Sequence, residues 1–159
     1  MTTRWQEIVA SSLDWDQAHA NLDTALEGLA AQDRGRRADG IPHSVWELVE
    51  HIRIAQADLL DFCVNAKYEH ALEWPAGYWP GAAAPANEAE WEESIAAIKR
   101  DRAALAAFTT SGSVDLTEKI PHGTGQTYLR TVLVAADHAA YHIAQIVDVR
   151  RAIGAWKKD

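Results

Sequence analysis

The sequence predicts an all-α fold, a four-helix bundle of the up-down type with long crossover loops. Apolar residues recur at helical spacing in four long segments, and no segment shows the sustained alternation that is typical of strands. Of the 159 residues, 48% are hydrophobic and 24% are charged, which suffices for a sizeable core. We therefore expect one domain that covers residues 1–159.

The first part of the chain predicts one short and one long helical segment. A short segment covers residues 3–11, and helix A is expected at residues 14–31 with Asp14 as its N-cap. His19 lies within the apolar stripe of helix A. Glycine and proline in the polar stretch 33–42 then favour a connection rather than a helix.

Helix B is predicted at residues 44–65. Ser44 is its N-cap candidate, and Glu47, three residues later, completes a capping-box pattern. The following stretch, residues 66–86, is rich in proline, glycine and aromatic residues, so it cannot be regular. Long loops of this composition usually pack against the domain as a lid or a wall.

The last two helices are predicted at residues 87–109 and 126–154. Asn87 is the N-cap candidate of helix C. A loop at residues 110–125 separates it from helix D, which is the longest and most apolar of the four.

Composition also limits the function. The formal net charge of −8 disfavours a nucleic-acid partner, because phosphate backbones are repelled by a negative surface. The chain has no apolar run long enough for a membrane span and no signal-peptide core at its start. Cys63 is the single cysteine, so an intramolecular disulfide is excluded and a cytoplasmic location is expected. We expect Cys63 to be a small core residue.

Two histidines lie in the middle of the apolar stripe of helix D. His138 and His142 are about 40° apart on the helical wheel. Burying an imidazole without a partner costs about 1–3 kcal/mol, and a divalent metal that accepts a nitrogen from each ring removes this cost. The pair alone is a weak signal, because this spacing also arises by chance.

His51 on helix B is the best candidate for a third ligand. It lies about 60° from Leu48 on the wheel, at the edge of the core stripe, and side chains of facing helices converge on metal sites in bundles. Spacing leaves a second interpretation equally open, in which the three histidines are unrelated and each bonds a carbonyl or water. All-imidazole ligands do not select one metal.

Five further residues are candidates for the pocket or for supporting contacts to the ligands. His19 could be a fourth ligand or a substrate contact, and His122 could cover the mouth of the site; each also fits an ordinary core or loop histidine. Tyr141 and Gln145 flank the histidine pair. Glu47 lies one turn before His51 and is first of all a cap residue. No nucleophile elbow, phosphate-binding loop or dinucleotide fingerprint is present, and the absence of Glu-x-x-His pairs argues against a di-iron bundle.

The segments that carry these histidines resemble a known family. Residues 43–56 read HSVWELVEHIRIAQ, and residues 136–147 read ADHAAYHIAQIV. Together with IPHG at 120–123, QT at 126–127 and RRAIGAW at 150–156, they resemble the second and last helices of the DinB-like four-helix bundles. The similarity covers helices B and D well and most of the chain loosely.

The resemblance implies a metal site and a mode of assembly. In that family the three matching histidines, here His51, His138 and His142, bind one divalent metal such as zinc, nickel, iron or manganese. The family also implies homodimers. Some relatives are transferases or isomerases that act with a low-molecular-weight thiol such as bacillithiol or mycothiol, and many have no known activity.

Three functions follow as hypotheses. The leading one is a metal-dependent thiol S-transferase or isomerase, and the second is a metal-activated-water hydrolase with Glu47 or His19 as its base. The third is a non-catalytic, metal-stabilised protein that binds a small molecule in a pocket walled by Trp46, Trp74, Tyr78 and Trp79.

Helix D also predicts self-association, because it is apolar on both sides. The side away from His138 carries Leu133, Ala136, Ala140, Ile143, Ala144 and Val147. A helix that is apolar all round is usually buried all round, so we expect a homodimer with helix D at its interface. Alternatively, the N-terminal segment with Trp5 and Ile8 covers this surface.

Overall fold

A computed structural model describes residues 3–156 of the chain. The all-α prediction is confirmed: these residues form five α-helices, and apart from one isolated bridge between Lys119 and Thr127 they contain no β-structure. The helices are α1 (Arg4–Ser12), α2 (Leu22–Leu26), α3 (Val45–Val64), α4 (Glu88–Thr110) and α5 (Tyr128–Ala152). Two single 3₁₀ turns, Ala31–Asp33 and Ala76–Tyr78, lie in the connections.

The three long helices begin at residues that cap them. Ser44 accepts a hydrogen bond from the Glu47 backbone N–H, and the Glu47 carboxylate accepts one from the Ser44 N–H, so the predicted capping box forms. Asn87 caps α4 in the predicted way. Thr127 caps α5, which therefore begins two residues later than predicted, and Gly154 with a φ of +74° follows its end.

The prediction of one long helix at residues 14–31 is wrong. Asp14 does not cap a helix, because its carboxylate instead pairs with Arg102 at 2.6 Å. Turns and bends follow until Asn21, whose side chain accepts a backbone N–H bond and so starts the short α2. Gly28, with a φ of +70°, lies just beyond the end of α2. The apolar spacing still identified buried residues, namely Leu22, Ala25 and Leu29.

The contacts among α1, α3, α4 and α5 form a closed ring. Helix α3 packs against α4 and α5, α1 packs against the same two helices, and α2 lies on α5. The buried Arg150 side chain fastens this last contact by donating hydrogen bonds to the carbonyls of Ala25 and Glu27. No helix among the described residues is both long and apolar enough to cross a membrane.

Candidate metal centre

Three imidazole rings, carried by α3 and α5, lie next to one another. His51 comes from α3, and His138 and His142 come from successive turns of α5. The ring centroids are 4.4–4.7 Å apart, and the Nε2 atoms of His51 and His138 are separated by 3.0 Å. One nitrogen of each ring lies within 4.8 Å of a nitrogen of each of the others. The structure therefore brings together the three histidines that the sequence singled out.

His51 is held on two sides by the loop that follows α3. Its Nδ1 donates a hydrogen bond to the backbone carbonyl of Tyr78 at 2.8 Å. The Trp79 ring stacks on the imidazole with centroids 3.9 Å apart and planes within 1° of parallel, and His43 stacks on Trp79 at the same centroid distance. Because a carbonyl can only accept, the proton stays on Nδ1 and leaves the lone pair of Nε2 available.

His142 is oriented by its own helix. Its Nδ1 lies 2.6 Å from Oε1 of Gln145, one turn further along α5. With the proton on Nδ1, donated to that oxygen, the Nε2 lone pair of His142 is available too. The Tyr141 ring lies nearly perpendicular to the same imidazole at a centroid distance of 4.9 Å.

Burial keeps these imidazoles neutral. The pKa of His138 and of His142 is lowered to about 4, mainly by desolvation and in addition by the proximity of other histidines, and for His142 the hydrogen bond to Gln145 opposes this shift. Desolvation lowers the pKa of His51 as well, against the hydrogen bond to the Tyr78 carbonyl, which raises it. Neutral imidazole is the form that binds a metal, so near neutral pH the ligand set is already in its binding form.

The donor set fits a divalent metal. Two nitrogens bound to one tetrahedral zinc at 2.0–2.1 Å are about 3.3 Å apart, close to the 3.0 Å between the Nε2 atoms of His51 and His138. Hydrogen bonds that fix the proton on the far ring nitrogen, as for His51 and His142, are the usual support of histidine ligands.

The three histidines line a cavity of about 630 Å³. Its walls are mostly apolar and aromatic, and none of the described residues that line it is a lysine or an arginine. Besides the histidines, it is lined by Ala55, Asp58, Leu59, Trp74, Pro75, Tyr78, Trp79, Val134, Asp137 and Tyr141. The loop 66–86 thus forms one wall, as its composition predicted.

Two other candidate histidines lie outside this cavity. His19 is exposed, bonds the carbonyl of Ala20 at 3.0 Å and lines a separate cavity between the 12–21 segment and α5. It does not reach the three histidines because residues 14–20 do not form a helix. His122 contacts the carbonyl of Phe62 through Nε2 at 2.9 Å and lines a different cavity together with Tyr68 and His70.

Glu47 and Trp46 are also placed differently from the expectation. The Glu47 carboxylate is held by the Arg37 guanidinium and the Ser44 N–H, and these bonds lower its pKa against the opposing effect of burial. It is therefore an ionised structural group and does not line the cavity.

Trp46, about 140° from His51 around α3, is buried against Trp91 in the core and is not a pocket wall.

Three supporting contacts were missed at the level of the sequence. The first is the hydrogen bond from His51 to the Tyr78 carbonyl, and the second is the stacking of Trp79 on His51. The third is the pair of hydrogen bonds that Asp58 accepts from two tyrosine hydroxyls. All three depend on the path of the irregular 66–86 loop. The aromatic richness of that loop was the one available signal.

Comparison with known proteins identifies the family of the chain. The family model of the DinB superfamily matches residues 14–146, which include all three histidines. No curated protein and no solved structure gives a significant match. Since the matched region covers most of the chain, the protein belongs to the DinB superfamily.

Proposed function

We propose that His51, His138 and His142 bind one divalent metal ion per chain and that the protein is a metal-dependent thiol S-transferase or isomerase. The observation that carries the proposal is the convergence of three neutral imidazoles on the wall of an open, aromatic-lined cavity. Zinc, nickel, iron and manganese are the candidate metals.

The bound metal would lower the pKa of a thiol or water at an open coordination position and so supply a nucleophile at neutral pH. The chain's own residues provide the rest. The Tyr78 carbonyl and Gln145 hold the protons of His51 and His142 away from the site. In a transfer reaction, the thiol sulfur forms the new bond to the electrophilic carbon, the leaving group departs with its electron pair, and the thiol proton passes to solvent.

The cavity supports an organic substrate. Trp74, Trp79 and Tyr141 offer flat apolar surfaces beside the histidines. These walls fit the apolar or aromatic part of an acceptor and also fit the second candidate function, a metal-stabilised protein that binds such a molecule without reaction. A hydrolase is less well supported, because Glu47 is engaged elsewhere and His19 lies outside the cavity.

We further propose that the packed helices form the up-down four-helix bundle of the family and that two copies associate through α5. Leu133 on α5 is 45% exposed, and the cavity beside it is lined by Ala136, Ala140 and Trp15. Ile143 and Val147 on the same side of α5 are buried within the chain, whereas Trp5 and Ile8 remain 41% and 53% exposed and leave Leu133 uncovered. Covering apolar surface of this kind is the usual function of a dimer contact.

A thiol-transfer assay tests the leading function. Protein loaded with each candidate metal is mixed with bacillithiol or mycothiol and a chlorodinitrobenzene, and the thioether is followed by absorbance. We expect conjugation that a chelator abolishes, that added metal restores and that the His142→Ala variant lacks. Metal binding without conjugation of any thiol would support the binding function instead.

A further inference from the structure

Asp58 occupies an unusual position on the wall of the cavity. It lies seven residues after His51 on α3, and its two carboxylate oxygens accept hydrogen bonds from two phenols of the following loop. Tyr68 donates to Oδ1 at 2.8 Å, and Tyr78 donates to Oδ2 at 2.6 Å. Hydrogen bonds to an ionised carboxylate are about twice as strong as bonds between neutral groups.

Tyr78 connects Asp58 to the histidine cluster. Its hydroxyl is bound by Asp58, and its backbone carbonyl accepts the Nδ1 proton of His51 at 2.8 Å. The helix, the tyrosine ring and the tyrosine backbone therefore form a closed loop of contacts that begins and ends on α3. The next residue, Trp79, stacks on the His51 ring, so the same anchor also places this second contact.

We propose that Asp58 is a positioning residue that holds the Tyr78 carbonyl against His51 and thereby fixes the His51 proton on Nδ1. Asp58 acts through Tyr78 and not as a ligand or a base: both of its oxygens are engaged by phenols, and it is not part of the three-residue cluster. The alternative, an anchor that only stabilises the loop, predicts lower stability with an unchanged His51 tautomer. The consequence for metal affinity rests on the proposed function, whereas the tautomer does not.

The tautomer is measured on metal-free protein with nitrogen-15-labelled histidine, by long-range proton–nitrogen NMR near neutral pH. A His51→Gln variant assigns the His51 signals. We expect the Nδ1–H form in the wild type and a mixture of both tautomers in Asp58→Ala and Tyr78→Phe. The second variant removes a single oxygen and is the safer one for folding. Asp58→Asn, which keeps one acceptor oxygen, should restore part of the Nδ1–H population.

Asp61→Ala is the matched control, because Asp61 is an exposed aspartate on the same helix whose carboxylate accepts a 3.3 Å bond from the Asn65 side chain. It should leave the tautomer unchanged. Zinc affinity, measured in parallel by competition with a chelator, should fall about 10–100-fold in Asp58→Ala and Tyr78→Phe and stay constant in the control. A pure Nδ1–H signal in both of these variants overturns the proposal, even if they melt at lower temperature. If the wild type binds no metal, the metal function fails, and the NMR result alone decides the role of Asp58.

Discussion

The Nε2 atoms of His51 and His138 lie 3.0 Å apart, although the two residues are 87 positions apart in the chain. Neither ring is freely exposed, and burial lowers the pKa of both. Two nitrogens held this close in a partly desolvated place repel each other once both are protonated. The contact therefore favours a shared proton or a shared cation.

The stability of the metal-free protein should fall as the pH is lowered from about 6.5 to about 4. The folded-state pKa of His138 and of His142 is about 4, against an ordinary value of 6.5, so within this window the unfolded chain binds more protons than the folded one. Each histidine adds up to about 1.4 kcal/mol per pH unit to the slope. Urea unfolding at a series of pH values, with chelator present, measures it.

The control is the double variant His138→Gln/His142→Gln, in which this part of the slope should disappear while other titrating groups remain. Equal slopes for the two proteins would show that the histidines titrate normally and are not held neutral by burial.

Gln145→Leu should weaken metal binding about 10–100-fold, because it removes the oxygen that receives the Nδ1 proton of His142. Gln145→Glu keeps an acceptor at the same place and should retain most of the affinity. Competition titrations with a zinc chelator give both values. Unchanged affinity in the leucine variant would mean that the hydrogen bond does not support the ligand.

Trp79→Ala should destabilise the protein by about 3 kcal/mol, because this ring is stacked between His43 and His51. Trp74→Ala is the matched control: this tryptophan lies in the same loop but is 77% exposed, so its loss should change stability by no more than about 0.5 kcal/mol. Both values come from urea unfolding of the metal-free protein. Similar losses in the two variants would contradict the assigned role of Trp79.

Ala140→Glu should weaken dimerisation and leave metal content intact, because Ala140 lines the α5 cavity that lies away from the histidines. Ala89→Glu places the same charge at an exposed position in the first turn of α4 and should leave the dimer unchanged. Light scattering over the micromolar range measures the mass. A wild-type mass of one chain at all concentrations would refute the dimer.

The sequence was most informative where the backbone is regular. Ser44 and Asn87 fixed the starts of α3 and α4, and helical periodicity then placed His51, His138 and His142 on inward-facing positions. In a helix, the spacing of residues determines which face each side chain occupies, so two correctly predicted helices were enough to suggest the cluster.

The sequence was least informative where local bonds compete with periodicity. The apolar spacing at residues 14–31 is typical of a helix, but the cap at Asn21 and the left-handed Gly28 limit the helix to the short α2. His19 therefore lies outside a helix and away from the three histidines. The roles of Asp58, Tyr78 and Trp79 depend on the path of an irregular loop. Because the loop has no periodic pattern, these roles could not be predicted from residue spacing.

The metal content of single-histidine variants tests the central claim most directly. Wild-type protein purified without chelator and then equilibrated with zinc should contain one metal per chain by elemental mass spectrometry. His51→Gln, His138→Gln and His142→Gln should each lose stoichiometric metal, whereas His19→Gln and His122→Gln, outside the cavity, should keep it. Full metal content in any of the first three, or none in the wild type, would contradict the three-histidine site.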